Sequence, residues 1–299
     1  EHAALVVQHG LVASLGGHEL AAALARATRR YLPVQIEVDT GMTRHGVPAR
    51  DLAAFVASVA DRGRLAIAGI YTHFAGLGPA DLPDMRAQLA RFTDAVGGVR
   101  ALRGVRQHAC NTLGALLLPD ACLDAVRIGG GLYGFDPLGG ARVTLRPALS
   151  LKARIVGLRQ AAAGERVGYG GGFTCRRPTR LALLPLGYAD GLARELWQGA
   201  DVLVRGRRAP LVGAISMNQA TVDVTDLPGV VFGEEVVLLG GMGSERVAPE
   251  DRVGPGGSAY AVTALLHPRL PRVYVGARGD ALRDARLPPA SGEGRGPRR

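Results

Sequence analysis

The feature that most constrains this chain is a change of rhythm at Arg146-Pro147. Before it, short apolar runs of strand length alternate with longer Ala-rich or amphipathic runs of helical period. Residues 32–38, 65–71 and 105–109 read as strands, with another at 125–128 and a stub at 5–7. Residues 19–30, 50–62 and 81–96 read as helices. Polar residues gather where strands end: D-T-G-M-T-R-H after Val38, Thr72-His73 after Tyr71, Asn111-Thr112 after Cys110. That is the pattern of a parallel βα sheet or a (β/α)8 barrel, whose chemistry sits at the C-terminal ends of the strands. Four strands, five with the stub, fall short of the eight that close a barrel.

After Pro147 the helical period disappears. Residues 148–160, 179–186, 202–204, 211–216, 220–224 and 235–239 are apolar and strand-length, separated by Gly, Pro and Asp turns. The expected class is therefore α/β plus all-β. Residues 1–146 form an incomplete barrel of about strands 4 to 8. Residues 147–280 form a C-terminal β-domain with a closing helix from Pro249 to Leu266, and 281–299, rich in Pro, Gly and Arg at its end, a disordered tail.

The formal charge of +10 raises the question of nucleic acid. Basic residues are scattered, however, and Lys152 is the single lysine among 36 Lys and Arg, a bias of coding composition rather than a binding footprint. No apolar run is long enough for a membrane span, and no secretory signal opens the chain. The three cysteines, Cys110, Cys122 and Cys175, lack metal-ligand spacing and fit reduced, cytoplasmic thiols or core residues.

Residues 125–134, A-V-R-I-G-G-G-L-Y-G, join a buried strand to three consecutive glycines. Backbone amides in such a turn converge on an anion, and Arg127 adds a permanently charged fork of donors. In a chain with 43 glycines this is a weak signal by itself.

Company strengthens it. V-D-T-G-M-T-R (38–44), Y-T-H-F-A (71–75), V-R-I-G-G-G-L-Y-G (126–134), V-G-Y-G-G-G-F-T (167–174), P-L-G-Y-A-D-G (185–191) and V-G-A-I-S-M-N-Q (212–219) stand in one order. In that order the chain resembles the bacterial alanine racemases, pyridoxal phosphate (PLP) enzymes of fold type III with an N-terminal barrel and a C-terminal β-domain. The resemblance runs to about Gly276. It implies racemisation of alanine for cell-wall D-alanine, PLP as cofactor, and a homodimer with shared active sites. It implies Tyr169 as one catalytic base, a role that needs neighbours to lower a phenol pKa near ~10, and His73 as its hydrogen-bond partner. It places Arg127 against the pyridine nitrogen, which argues against the decarboxylases of the same fold group, where an acid stands there. The resemblance gives the phosphate to Thr112, Gly129, Gly130 and Tyr260. It gives the substrate carboxylate to Arg44 and Met217, with Tyr188 and Arg194 at the entrance. Glu37 stands where many members have a carbamylated lysine and offers a carboxylate in its place.

One family element is missing. The Schiff-base lysine lies on the first barrel strand before Y-G-H-G, and this sequence has no such segment. Lys152 matches the first strand of the β-domain instead. The expectation is an N-terminally truncated racemase, poorly soluble alone because an open barrel leaves sheet edges and an apolar face uncovered. A PLP-binding homologue without catalysis, and a racemase of another amino acid such as serine, are the alternatives.

Overall fold

The computed structural model describes residues 2–138, 140, 142–253, 258–276 and, for the backbone, 281–282. The chain divides into two compact units between Leu149 and Ser150, close to the change of rhythm.

The first unit is built on a parallel sheet. β1 (Ala13–Leu15) and β2 (Leu32–Asp39) pair, and the two-residue β3 (Val47–Pro48) joins the end of β2. β4 (Leu65–Tyr71) lies beside β2, and β5 (Arg106–His108) lies beside β4. Helix α1 (Ala3–Gln8) precedes β1; α2 (His18–Ala27), α3 (Leu52–Ala60), α4 (Leu82–Gly97) and α5 (Thr112–Leu117) occupy the connections after β1, β3, β4 and β5.

The alternation within β2 sets the layers. Leu32, Val34, Ile36 and Val38 are at most 4% exposed and join one core with Leu24, Phe55, Val59 and Phe92. Each such side chain contributes roughly 1.5–3 kcal/mol of burial. Gln35 and Glu37, the intervening residues, fall on the opposite face of the pleat. Helix α4 answers with one stripe, Met85, Gln88, Phe92 and Val96.

Two expectations change here. Residues 5–7 are helical, because Ala3, Val6 and Val7 recur at i, i+3 and i+4 and pack on the helical side of the core. The first strand is Ala13–Leu15 instead. The expected strand at 125–128 shrinks to one parallel bridge, Ala125 with His108. Beyond it the Arg127 N–H turns to the carbonyl of Cys110 (2.9 Å).

The second unit is antiparallel. β6 (Leu151–Arg154) and β7 (Gly157–Ala161) divide the run 148–160, and β8 (Arg166–Val167) pairs with β9 (Phe173–Thr174). β10 (Thr179–Leu184), β11 (Asp201–Val204), β12 (Arg207–Pro210), β13 (Ala220–Asp223), β14 (Glu235–Met242) and β15 (Glu245–Val247) complete two sheets, ordered β13-β10-β7 and β12-β11-β14-β15 with β6 on β14. Val202, Val204, Val222, Val236 and Val237, all 0% exposed, centre the core. The run 211–216 is not a strand. Gly213 has φ +71°, and only single bridges survive, Leu211 with Val222 and Ala214 with Tyr169. The closing helix is a 3-10 turn, Pro249–Arg252, followed by α6 (Ala259–Ala264); residues 254–257 lie outside the described residues. Tyr274–Val275 (β16) pairs with Ala281–Leu282 (β17), so the expected tail opens with a short strand, and its remainder lies outside the described residues.

Candidate active site

Register in the parallel sheet assembles a polar row. Glu37 on β2 is opposite Tyr71 on β4, and Tyr71 is opposite His108 on β5. One step earlier, Ser14 on β1 is opposite Gln35, and Gln35 is opposite Gly69. Gly69 offers no side chain, and a Cβ there would sit 3.2 Å from the Gln35 side chain. Gln35 therefore reaches across β4 to His108, Oε1 to Nε2 at 2.7 Å.

Arg127 closes the row. Its Nη1 lies 2.7 Å from His108 Nδ1. Its Nη2 donates to the carbonyls of Thr72 (2.9 Å) and Ala109 (3.1 Å) and lies 3.3 Å from His73 Nδ1. The guanidinium carbon stands 4.8 Å from the centroid of the Tyr71 ring, and that ring stacks on His108 at 4.9 Å. Because arginine only donates, both Nδ1 atoms are acceptors, and each imidazole carries its proton on Nε2. Burial, then the charges of Arg127 and Arg106, pull the His108 pKa from 6.5 down to about 4. Burial, then Arg127 and Arg44, lower that of His73 also. Both rings are neutral near pH 7, and among the described residues the Nε2–H of His73 has no acceptor.

The backbone under His73 is fixed by a buried glutamine. Gln88 donates to the His73 carbonyl (3.1 Å) and to Thr40 Oγ1 (3.3 Å), and accepts from the Ala75 N–H (2.9 Å). Thr40 and Thr72 share a hydroxyl hydrogen bond of 2.6 Å. The loop carrying Arg44 hangs from Asp39. Burial alone would raise that carboxyl's pKa, but N–H groups of Thr43, Gly41 and Met42 hold it below the ordinary value. Glu37 is buried and bonds Tyr71 and His45; among the described residues it makes no hydrogen bond to Arg44.

The glycine turn folds over the start of α5. Asn111 caps that helix, its Oδ1 accepting from Gly114 N–H at 2.9 Å. The amides of Gly129 and Gly131 converge on one oxygen, Thr112 Oγ1, at 3.2 and 3.3 Å. A Cβ on Gly131 would lie 3.0 Å from side-chain carbons of both Ile128 and Thr112, whereas one on Gly129 would meet nothing within 4 Å. The turn is thus closed behind and open in front. Glycine amides and a hydroxyl suit a phosphate group, so these residues fit the cofactor the resemblance implies. Gly130 is buried at the start of a 3-10 turn, Gly130–Tyr133.

The other expected residues belong to the second unit. Three motifs meet there. Tyr169 bridges Ala214, the Tyr188 N–H bonds the Ser216 carbonyl (3.0 Å), and the Ala189 N–H bonds that of Met217 (2.9 Å). Tyr169, Tyr188 and Met217 are all exposed. Arg194, in the 3-10 turn Arg194–Trp197, and Tyr260, on α6, are exposed in the same unit. Gly187 permits the docking. A Cβ there would lie 2.2 Å from the Ser216 carbonyl oxygen and 2.3 Å from that of Met217. Gly187→Ala is expected to cost about 1–3 kcal/mol by overpacking, read as a drop in the unfolding midpoint followed by the fluorescence of the single tryptophan, Trp197, which packs on this unit's core.

The motifs single out His73, Thr112, Arg127 and the glycines as candidates; Gln35, Tyr71, Gln88 and His108, which the structure links to them by hydrogen bonds and ring contacts, are not among the residues singled out. For Gln35 the available signal is a polar residue inside an apolar strand, L-P-V-Q-I-E-V-D, and for Gln88 a polar residue on the buried stripe of a helix; His108, in R-Q-H, carries no such signal.

A parallel α/β unit carrying an arginine-centred polar row and a Gly-rich turn, followed by an antiparallel β-unit, fits the layout of the PLP-dependent racemases that the sequence resembles. The family models agree. "Alanine racemase, N-terminal domain" matches residues 1–137 and "Alanine racemase, C-terminal domain" matches residues 148–274. The chain belongs to the alanine racemase family. An alanine racemase of Desulfovibrio desulfuricans is 39% identical over 281 residues, 91% of this chain and 75% of that protein. The alanine racemase of Streptomyces coelicolor A3(2) superposes with a TM-score of 0.82 at 33% identity, over 91% of this chain and 75% of that one. The Bartonella henselae enzyme, solved with covalently bound pyridoxal phosphate, gives 0.81 at 28% identity, over 92% and 76%.

Proposed function

We propose that this chain carries the cofactor cradle and one catalytic base of an alanine racemase, and that turnover requires a lysine the chain does not contain. The observation that carries the reading is Arg127, held by four acceptors, two of them histidine nitrogens, beside the Thr112–glycine cradle. Thr112, Gly129, Gly130 and Tyr260 would hold the PLP phosphate. When bound, PLP supplies an electron sink that eases removal of the α-proton of alanine. Arg127 presents donors only, so an acceptor nitrogen facing it stays unprotonated, which favours racemisation over side reactions. His73 keeps Nδ1 on Arg127 and offers Nε2–H to a tyrosine oxygen, the partner a phenolic base needs. Tyr169 is that base, serving the site of a second copy in a homodimer, which is supported by its exposure and that of Met217. Arg44 and Met217 take the substrate carboxylate, and Tyr188 and Arg194 shape the entrance. Three free thiols support a cytoplasmic setting.

The lysine requirement rests on Lys152. It is the single lysine, it lies on β6 of the second unit, and its Nζ pairs with Glu235 at 2.9 Å. The incomplete barrel belongs to this proposal also: among the described residues β1 pairs with β2 alone. The test is to load the purified chain with PLP, treat it with borohydride and map modified residues by mass spectrometry. Reversible PLP binding, no adduct on Lys152 and no racemisation of alanine are expected. A trapped adduct on Lys152, or turnover by the chain alone, overturns the proposal. A lysine-bearing strand supplied in trans restores turnover here, and leaves a purely PLP-binding protein inactive.

A further inference from the structure

One oxygen of Glu37 does two jobs. Oε2 accepts from the Tyr71 hydroxyl at 2.9 Å and lies 2.8 Å from His45 Nδ1. The Tyr71 oxygen is also 2.6 Å from Ser14 Oγ. Since the single phenolic hydrogen goes to Glu37, the Ser14 hydroxyl donates to Tyr71, and His45 carries a proton on Nδ1. The order is Ser14 to Tyr71 to Glu37, with His45 donating from the other side. Two glycines make room for the pair. A Cβ on Gly16 would lie 2.3–2.8 Å from atoms of the His45 ring, and one on Gly46, where φ is +107°, would lie 3.1 Å from Glu37 Cγ.

The Tyr71 ring is the contact surface for the rest of the row. It stacks on His108 with an interplanar angle of 10°, and Arg127 stands over it. Among the described residues Arg127 has no carboxylate ion-pair partner, and Glu37 is the carboxylate whose charge reaches both Arg127 and His73. We propose that His45 and Glu37 form an imidazole–carboxylate clamp that fixes the Tyr71 hydroxyl, and that through the Tyr71 ring they position His108 and Arg127 for the cofactor. They are positioning residues, His45 half-exposed and Glu37 buried. The inference rests on the reading that Arg127 faces the PLP ring.

Three variants of the full chain test it: H45L, H45N and Y71F. Asparagine keeps a donor near the Nδ1 position, and leucine keeps apolar volume. Imidazole NMR signals of His108 report the stack with Tyr71 and need no cofactor; PLP affinity by fluorescence titration is the second readout. In H45L and in Y71F the His108 signals are expected to shift, and PLP binding to weaken about fivefold, equivalent to about 1 kcal/mol. H45N is expected to restore both readouts, which a packing role for His45 would not do. The double variant Y71F/H45L is expected to match Y71F alone, because His45 acts through the hydroxyl that Y71F removes. His108 signals unchanged in H45L, rescue by leucine rather than asparagine, or additive losses in the double variant overturn the clamp. Failure of the parent chain to bind PLP counts against the proposed function, and the His108 signals still decide the clamp.

Discussion

Truncating Arg127 to alanine is expected to lower the stability of the first unit by about 3 kcal/mol and PLP affinity by more than tenfold. The stability loss is a matter of partners left behind. Arg127 is partly buried and serves His108 Nδ1, His73 Nδ1 and the carbonyls of Thr72 and Ala109. Hydrogen bonds to a charged group contribute about 1.5–3 kcal/mol each, and unsatisfied buried acceptors cost about 1–3 kcal/mol each. The sum is not additive, because alanine opens space that water enters, so about 3 kcal/mol is the scale expected. Arg127→Lys is expected to recover less than half of it. A lysine keeps the charge but is a point donor on a flexible stem, and it cannot span two imidazoles and two carbonyls as the planar fork does. Two probes follow urea unfolding: far-ultraviolet dichroism is expected to show an earlier loss of the first unit, while Trp197, packed against the second unit's core, reports an unchanged midpoint. Equal midpoints for parent and R127A would show that the four acceptors are satisfied without the arginine.

The layout of the site explains what could be read in one dimension. Arg127, the glycines after it, Thr112 and His73 lie in short contiguous motifs at strand ends, where local chemistry is visible in sequence. Tyr188 and Met217 stand in motifs of the same kind, although their docking through Gly187 is not visible there. His108, Gln35 and Ser14 are different. Each is a polar residue in a strand, and its meaning depends on which residue the neighbouring strand places opposite. Ser14 faces Gln35, and Glu37 faces Tyr71 and then His108, only once parallel register is set. A slip of one residue would send every one of them to the other face. Glu37 shows the limit of motif transfer. Its position suggests a charge beside Arg44, but its carboxylate bonds Tyr71 and His45. Fold errors have equally local causes. A-S-L at 13–15 is too short for a two-residue period to register, and Gly213, with positive φ, breaks what composition presents as a strand at 211–216. At 125–128 the apolar pattern is correct, but Arg127 must turn toward its acceptors, and the ladder ends at one bridge.

Acidification supplies the second large effect. His108 binds its proton with a pKa of about 4 in the folded chain, against 6.5 for an ordinary histidine. Between these values the unfolded chain holds more protons than the folded one, so stability rises with pH across that window. The contribution is complete above about pH 6.5 and is lost as pH falls through about 4. At about 1.4 kcal/mol per pKa unit, reduced for solvent screening, the loss attributable to His108 is about 2 kcal/mol. His73 shifts in the same direction and adds to it. The physical origin is burial first and the donor-only guanidinium second: a charge on His108 would be poorly solvated, and protonating Nδ1 would set N–H against the N–H of Arg127, 2.7 Å away. Unfolding free energies of the first unit measured from pH 7 to pH 4.5 are expected to fall steeply in the parent chain. In His108→Asn, which keeps an acceptor for Arg127 and cannot titrate, the parent is less stable at low pH relative to the variant than it is at pH 7. Parallel pH profiles for the two proteins would mean that Arg127 does not hold His108 neutral, and the tautomer assigned to the row would fall with it.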